Sequence, residues 1–178
     1  MRIDEDWFLR IAGDDETRSK LKDIFALRKK VLAENIFYGD LSRFVLRLGG
    51  HYVVFDMRSS VSAIETYQEI FMKAGHRKEA GFDGRDARVV FDVGANRGFY
   101  SLALREVNKQ AVIYAFEPNP MEYGFLCENI KLNSMDPVFV LQCAVEGTAG
   151  ESWVDVVPAV GTIGGKKMLK TRRPWMKD

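Results

Sequence analysis

The chain has 178 residues, enough for one domain with a real hydrophobic core and a helical extension. Hydrophobic residues make up 47% and charged residues 29%, the balance of an ordinary soluble globular protein. A formal net charge of +1 argues against a chain built mainly to coat nucleic acid or an anionic membrane. The longest apolar runs fall far short of a bilayer span, and "MRIDEDWFLR" lacks a signal-peptide pattern, so a cytoplasmic location with no membrane partner is expected. Two cysteines, Cys127 and Cys143, exclude a disulfide framework and a multi-Cys zinc site, and both fall at positions that read as core. No metal site is expected.

In chain order, residues 1 to about 35 read as helix, with Leu21, Ile24, Phe25, Val31 and Leu32 near one stripe. "RFVLRLGGHYVVFDM" (Arg43 to Met57) contains two strand-like runs joined by Gly49-Gly50, a hairpin signal. "SAIETYQEIFMKAG" reads as a helix closed by Gly75, and "GFDGRDAR" (Gly81 to Arg88) as a loop. Strand Val89 to Val93, a helix from about Gly98 to Val107, strand Ala111 to Phe116, the helix "PNPMEYGFLCENIKLN" and a third strand, Val138 to Val145, then alternate. This alternation predicts parallel βαβ units with right-handed crossovers. The expected organisation is an N-terminal helical and hairpin extension over 1–80 and an α/β domain over 81–178. In the two crossover helices, Tyr100, Ala103, Leu104 and Val107, and then Tyr123, Leu126, Cys127 and Ile130, each make one apolar face, read as core.

The chemistry concentrates in "VVFDVGANRGFYS", Val89 to Ser101. Open parallel sheets bind ligands at the carboxyl ends of their strands, and Gly94 and Gly98 sit at such an end. Glycine allows a sharp turn and close approach of a ligand to the main chain. Asp92 ends the strand, where it orders the loop or meets a ligand cation. Glu117, in "AFEPNP", lies about 20 residues beyond the loop, the spacing of a carboxylate that accepts hydrogen bonds from a ribose diol. A dinucleotide fingerprint needs G-x-G-x-x-G, whereas here the order is D-V-G-A-N-R-G. An acid in place of the first glycine suits a cationic sulfonium and amino-acid moiety better than a pyrophosphate, favouring S-adenosylmethionine over NAD.

"VVFDVGANRGFYS", "YAFEPNP" and "LCENIKLN", with the upstream "ETYQEIFMKAGH", together resemble the FkbM family of class I methyltransferases over roughly Arg43 to Ala159. The resemblance implies a Rossmann-like sheet that binds S-adenosylmethionine, and O-methylation of a small-molecule or glycan hydroxyl. It implies Asp92, Gly94, Ala95, Asn96 and Gly98 around the methionine part, Phe99 and Tyr100 at the pocket mouth, and Glu117 on the ribose. Pro118 and Asn119 would flank the adenosine, and Cys143, Ala144 and Val145 would approach the adenine. It also implies further strands after an acidic "IDVEG"-like segment that this chain lacks, so the sheet is expected to be incomplete. Strand Val89 to Val93 would then carry one bare edge, to be paired with a second copy or another polypeptide, or covered by the N-terminal helix or hairpin.

Other readings remain open. The glycine loop can be a tight structural turn. Glu65 and Glu69 can face the methyl donor or sit on a solvated helix face, and His51 and His76 read as surface or hairpin residues. No catalytic base is identifiable. "YAFEPNPMEYGFLCENIKLN" also looks like the second-motif region of archaeal tRNA guanine methyltransferases, and the basic tail "GGKKMLKTRRPWMKD", with Trp175, suits either phosphates and a stacked base or a solvated tail. A non-catalytic cofactor-binding module is the third reading.

Overall fold

A computed structural model describes residues 3–34, 42–72, 84–145, 152–156 and 167–171. The chain divides into two compact units: Met1–Ala80 with Pro158–Ile163, and Gly81–Val157 with Gly164–Asp178.

The first unit opens with two helices, not one: α1 (Glu5–Ile11) and α2 (Asp15–Glu34). Each has its own start. The Asp4 carboxylate accepts the N–H of Trp7 at 2.8 Å, and that of Asp14 accepts the N–H of Thr17 at 2.7 Å. Between them Gly13 donates to the carbonyl of Arg47, and the Arg47 side chain fills the space a Cβ would need. The break is therefore where the helices meet the following hairpin. Its strands, β1 (Arg43–Leu48) and β2 (His51–Asp56), are antiparallel with Leu48 opposite His51. Gly49 and Gly50 form the turn at φ +56° and +92°, two successive left-handed positions that only glycine occupies cheaply. Helix α3 (Ser60–Met72) follows, and Gly75 and His76 lie outside the described residues. Leu21, Ile24, Phe25 and Val31 are buried as expected, with Phe8, Phe55, Ile64 and Tyr67, whereas Leu32, in the last turn of α2, is exposed. His51 sits on the hairpin beside the ring of Phe71.

In the second unit the chain alternates β3 (Val89–Val93), α4 (Phe99–Val107), β4 (Val112–Phe116), α5 (Pro120–Leu132) and β5 (Val138–Leu141). The three strands are parallel in the order β3-β4-β5. This is the expected α/β architecture with a partial sheet. The third strand stops at Leu141 rather than Val145, because the N–H of Cys143 turns back onto the carbonyl of Leu141 at 3.0 Å. The buried side of α4 is Phe99, Leu102 and Ala103, with Leu104 beside them. Tyr100 is half-buried and Val107 exposed, which corrects the expected Tyr100–Val107 stripe. Both sets satisfy helical spacing in so apolar a helix, so periodicity alone does not choose between them. In α5 the buried set is Phe125, Leu126, Asn129 and Ile130, while Tyr123 and Cys127 are half-buried. A separate antiparallel hairpin pairs β6 (Ser152–Val156) with β7 (Lys167–Thr171).

Alternation along β3 buries Val90 and Asp92 and turns Val89, Phe91 and Val93 outward. Phe91 is 64% exposed. Its ring stacks on Tyr114 at 5.6 Å, and Tyr114 stacks on Phe139 at 5.1 Å, an aromatic row across all three strands. Parallel sheets are ordinarily covered on both faces, so this open face is unusual. Among the described residues no strand pairs with the outer edge of β3. No described helix is long and apolar enough to cross a membrane.

The lower end of the sheet is tied by Asn108. Its amide donates to the carbonyls of Gly84 and Ala87, both at 2.8 Å, and its oxygen accepts from Gln110 and Ala111 at 3.1 and 3.0 Å. All four bonds serve backbone groups in the segments that lead into β3 and β4. Replacing Asn108 by Ala should destabilise the chain by about 2–4 kcal/mol, because buried partners are left unsatisfied. Urea unfolding measures this. A loss of only a few tenths would show that water replaces the side chain.

Candidate functional site

The glycine loop leaves β3 at its carboxyl end and enters α4. Its first two amides, of Gly94 and Ala95, both donate to the carbonyl of Phe116 at the end of β4, each at 2.9 Å. Gly94, Asn96 and Gly98 have φ of +75°, +50° and +78°, so the loop turns through three left-handed residues at alternate positions. The two glycines have different reasons. A Cβ on Gly94 would meet nothing within 4 Å, so the main chain there is open to a ligand. A Cβ on Gly98 would lie 2.6 Å from a methyl of Leu126, so that glycine lets the loop pack on α5. Asn96 is exposed and tolerates the left-handed region better than most side chains.

Glu117 follows β4 at the same end of the sheet, and its carboxylate joins two segments. One oxygen accepts the N–H of Asn96 at 2.8 Å, and the other accepts the N–H of Asn119 at 2.7 Å. Asn119 in turn caps α5, its side chain accepting the N–H of Met121 at 3.0 Å. Each Glu117 oxygen keeps acceptor capacity beyond its backbone partner. Burial pushes the Glu117 carboxyl above its ordinary value, the two N–H donors oppose this, and the negative charges of Glu122 and Asp92 add to the rise.

Asp92 is turned inward. Its carboxylate accepts from the Ser101 hydroxyl at 2.5 Å, and burial raises its pKa against the pull of that hydrogen bond. Of its two sequence-level roles, the geometry displays the ordering one: Asp92 ties the end of β3 to Ser101 in the first turn of α4. Phe99, at the start of α4, is buried, and Tyr100 is half-buried. Ala95 is buried. Pro118, Asn119 and Ala144 are half-buried, and Val145 is exposed. Glu65, in the first unit, pairs with Arg28 at 2.9 Å. Among the described residues no group of three His, Cys, Asp or Glu side chains is placed to hold a metal ion. Arg97, which no sequence pattern singles out, has one of the largest fully buried side chains among the described residues. A long cation between two glycines ordinarily points to solvent, and the signal that it does not is the Glu-x-x-Phe pair, Glu122 and Phe125, on the next helix.

A parallel sheet with a glycine loop after one strand and a buried acid after the next is the arrangement of an α/β domain that takes ligands at the carboxyl ends of its strands. The TRM5/TYW2 methyltransferase domain matches residues 69–163, more than half of the chain, and the chain belongs to that family. S-adenosylmethionine, the cofactor expected from the loop and Glu117, is the cofactor of this family. The chain is 40% identical over 62 residues to the tRNA(Phe) (4-demethylwyosine(37)-C(7)) aminocarboxypropyltransferase of Methanocaldococcus jannaschii, covering 35% of this chain and 25% of that protein. It is 32% identical over 113 residues to the 31-O-demethyl-FK506 methyltransferase FkbM of Streptomyces tacrolimicus, covering 59% and 43%. The FkbM likeness is thus partial. Among solved structures, M. jannaschii TYW2 in complex with AdoMet aligns with a TM-score of 0.40 and 28% identity, over 60% of this chain and 45% of that one. The chain spans between a quarter and a half of the length of these relatives.

Three measurements address the loop and the acid. A charged hydrogen bond contributes roughly 1.5–3 kcal/mol. Glu117→Ala should therefore weaken S-adenosylhomocysteine binding about tenfold or more, a factor worth 1.4 kcal/mol. An unchanged titration would put the acid outside the pocket. Gly94→Val forces a β-branched residue to φ +75° and fills the open approach, so it should abolish binding while β3 stays formed. A folded Gly94→Val chain that binds normally would overturn the placement. The third is acid dependence. Because the folded Glu117 carboxyl has a raised pKa, its charged form costs folding free energy at neutral pH, a cost relieved as pH falls through the raised value. A ribose diol held by Glu117 would need the charged acceptor, so binding through it would run the other way. Affinity should fall between neutrality and 4.5, the ordinary value, without a parallel loss of stability from this residue.

Proposed function

We propose that this chain is the cofactor-binding part of an S-adenosylmethionine-dependent methyltransferase whose acceptor is tRNA. The observation that carries the reading is the family match over 69–163, which takes in both the glycine loop and Glu117. The tRNA-modifying relative from M. jannaschii supports the choice of acceptor. In this reading Glu117 accepts the ribose diol, and the open main chain at Gly94 receives the methionine part. Asp92, Ala95, Asn96 and Gly98 shape the loop. Pro118 and Asn119 flank the adenosine, and Ala144 and the adjoining residues lie toward the adenine. Bound S-adenosylmethionine supplies a sulfonium carbon to an acceptor nucleophile. The chain's own residues bind and orient it, and transfer needs in-line approach of the acceptor.

A second reading, O-methylation of a small-molecule or glycan hydroxyl, is favoured by the longer alignment to the FkbM methyltransferase. The chain should bind S-adenosylmethionine or S-adenosylhomocysteine more tightly than NAD in calorimetry, and tighter NAD binding would sink both readings. Incubation with S-adenosylmethionine labelled in the methyl group, or in the amino-acid part, separates the two groups that a sulfonium can give up. Label on tRNA transcripts is the expected result. Label only on hydroxyl compounds would favour the second reading, and cofactor binding with no transfer would leave a binding module. A cytoplasmic location belongs to the same reading. So does association through the bare edge of β3, which light scattering at rising concentration detects; a monodisperse monomer would contradict self-association.

A further inference from the structure

We propose that Arg97 is a positioning residue of the cofactor site, fixing the glycine loop on α5 so that the Asn96 amide and Glu117 meet a nucleoside in one geometry. This rests on the reading of the loop as an S-adenosylmethionine site. The side chain of Arg97 leaves the middle of the loop and runs inward, with 2% of its surface exposed. Its Nε donates to one oxygen of Glu122 at 2.8 Å and its Nη2 to the other at 3.3 Å, a two-point fork. The guanidinium carbon lies 3.9 Å from the centroid of the Phe125 ring. The carbonyl of the same residue accepts from the amide of Asn129 at 2.8 Å, and Asn129 is wholly buried. Beside it, Gly98 rests on Leu126.

Glu122, Phe125, Leu126 and Asn129 stand at i, i+3, i+4 and i+7 of α5, so they share one helix face, and that face serves the loop. Glu117 grips the other side of the arrangement, holding Asn96 and the start of α5. The loop is thus held at Asn96 from the ligand side and at Arg97 from behind. A charge this deeply buried, with both its partners on one helix, fixes a position more sharply than apolar contact does, because its hydrogen bonds are directional. Lysine would keep the charge but lose both the fork and the flat stacking on Phe125.

The test compares the wild-type chain with Arg97→Met, Arg97→Lys and Glu122→Gln, using amide hydrogen exchange and S-adenosylhomocysteine titration. Exchange needs no cofactor. The amide of Asn96 should exchange at least tenfold faster in Arg97→Met while those of Val90 and Ile113, in the strands, keep their protection. Affinity for S-adenosylhomocysteine should fall at least tenfold in Arg97→Met and nearly as far in Arg97→Lys, with a smaller loss in Glu122→Gln, which keeps an acceptor. Asn108→Ala, at the far end of the sheet, is the control for lost stability and should bind as wild type. If Arg97→Met does not fold, Glu122→Gln carries both readouts. Unchanged Asn96 exchange, or an affinity loss shared by Asn108→Ala, would overturn the proposal. A wild-type chain that binds no S-adenosylhomocysteine would instead sink the cofactor reading, while the exchange data still judge the positioning.

Discussion

The Glu117 carboxylate accepts one backbone N–H from the glycine loop and one from the start of α5, and the rest of the site is arranged around that double acceptance. Both donors are amides that would otherwise point into a turn without a regular partner. A carboxylate at this point satisfies them together and sets the distance between two segments that come from different strands. The burial that raises its pKa is the consequence of being enclosed by what it holds. An acid in this position joins two segments with its two oxygens.

Beneath the loop the polar groups are layered. Asp92 reaches Ser101 of α4, and Arg97 reaches Glu122 of α5. Each is a buried hydrogen bond between the loop region and the helix on one side of it. Directional contacts of this kind specify one arrangement where apolar packing tolerates several. Of the three left-handed residues, Gly94 and Gly98 take positive φ without strain, whereas Asn96 carries a side chain and its N–H is bonded to Glu117.

Much of this was legible in the residues. The hairpin was readable because Gly49-Gly50 is a turn requirement, and the βαβ order because strand and helix periods differ. Glu117 was legible through its distance from the glycine loop. The split between α1 and α2 was not, because Asp14 as a cap looks like any acid in a charged stretch until Gly13 is seen against Arg47. The buried face of α4 was misjudged for a related reason: Ser101 is hidden by its bond to Asp92, which hydropathy does not register. The end of β5 at Leu141 depends on a local turn at Cys143 that no composition signal marks. Arg97 was invisible because side-chain direction in a loop is set by partners from another element. The two glycines of the loop read alike in sequence, and only the space around each separates an open main chain from a packing contact.

The open aromatic row of Phe91, Tyr114 and Phe139 has a consequence of handedness. The connections from β3 to β4 and from β4 to β5 step the same way across the sheet, and their helices, α4 and α5, belong to the opposite face, where Val90, Asp92, Ile113 and Ala115 are buried. Right-handed crossovers tie the direction of a step to the face its connection covers. A step in the reverse direction, onto the unpaired side of β3, must lay its connection on the other face. One chirality rule therefore makes the bare edge and the bare face a single geometric feature. Any parallel strand added by such a crossover beyond β3 would bring with it the layer that lies over Phe91, Tyr114 and Phe139.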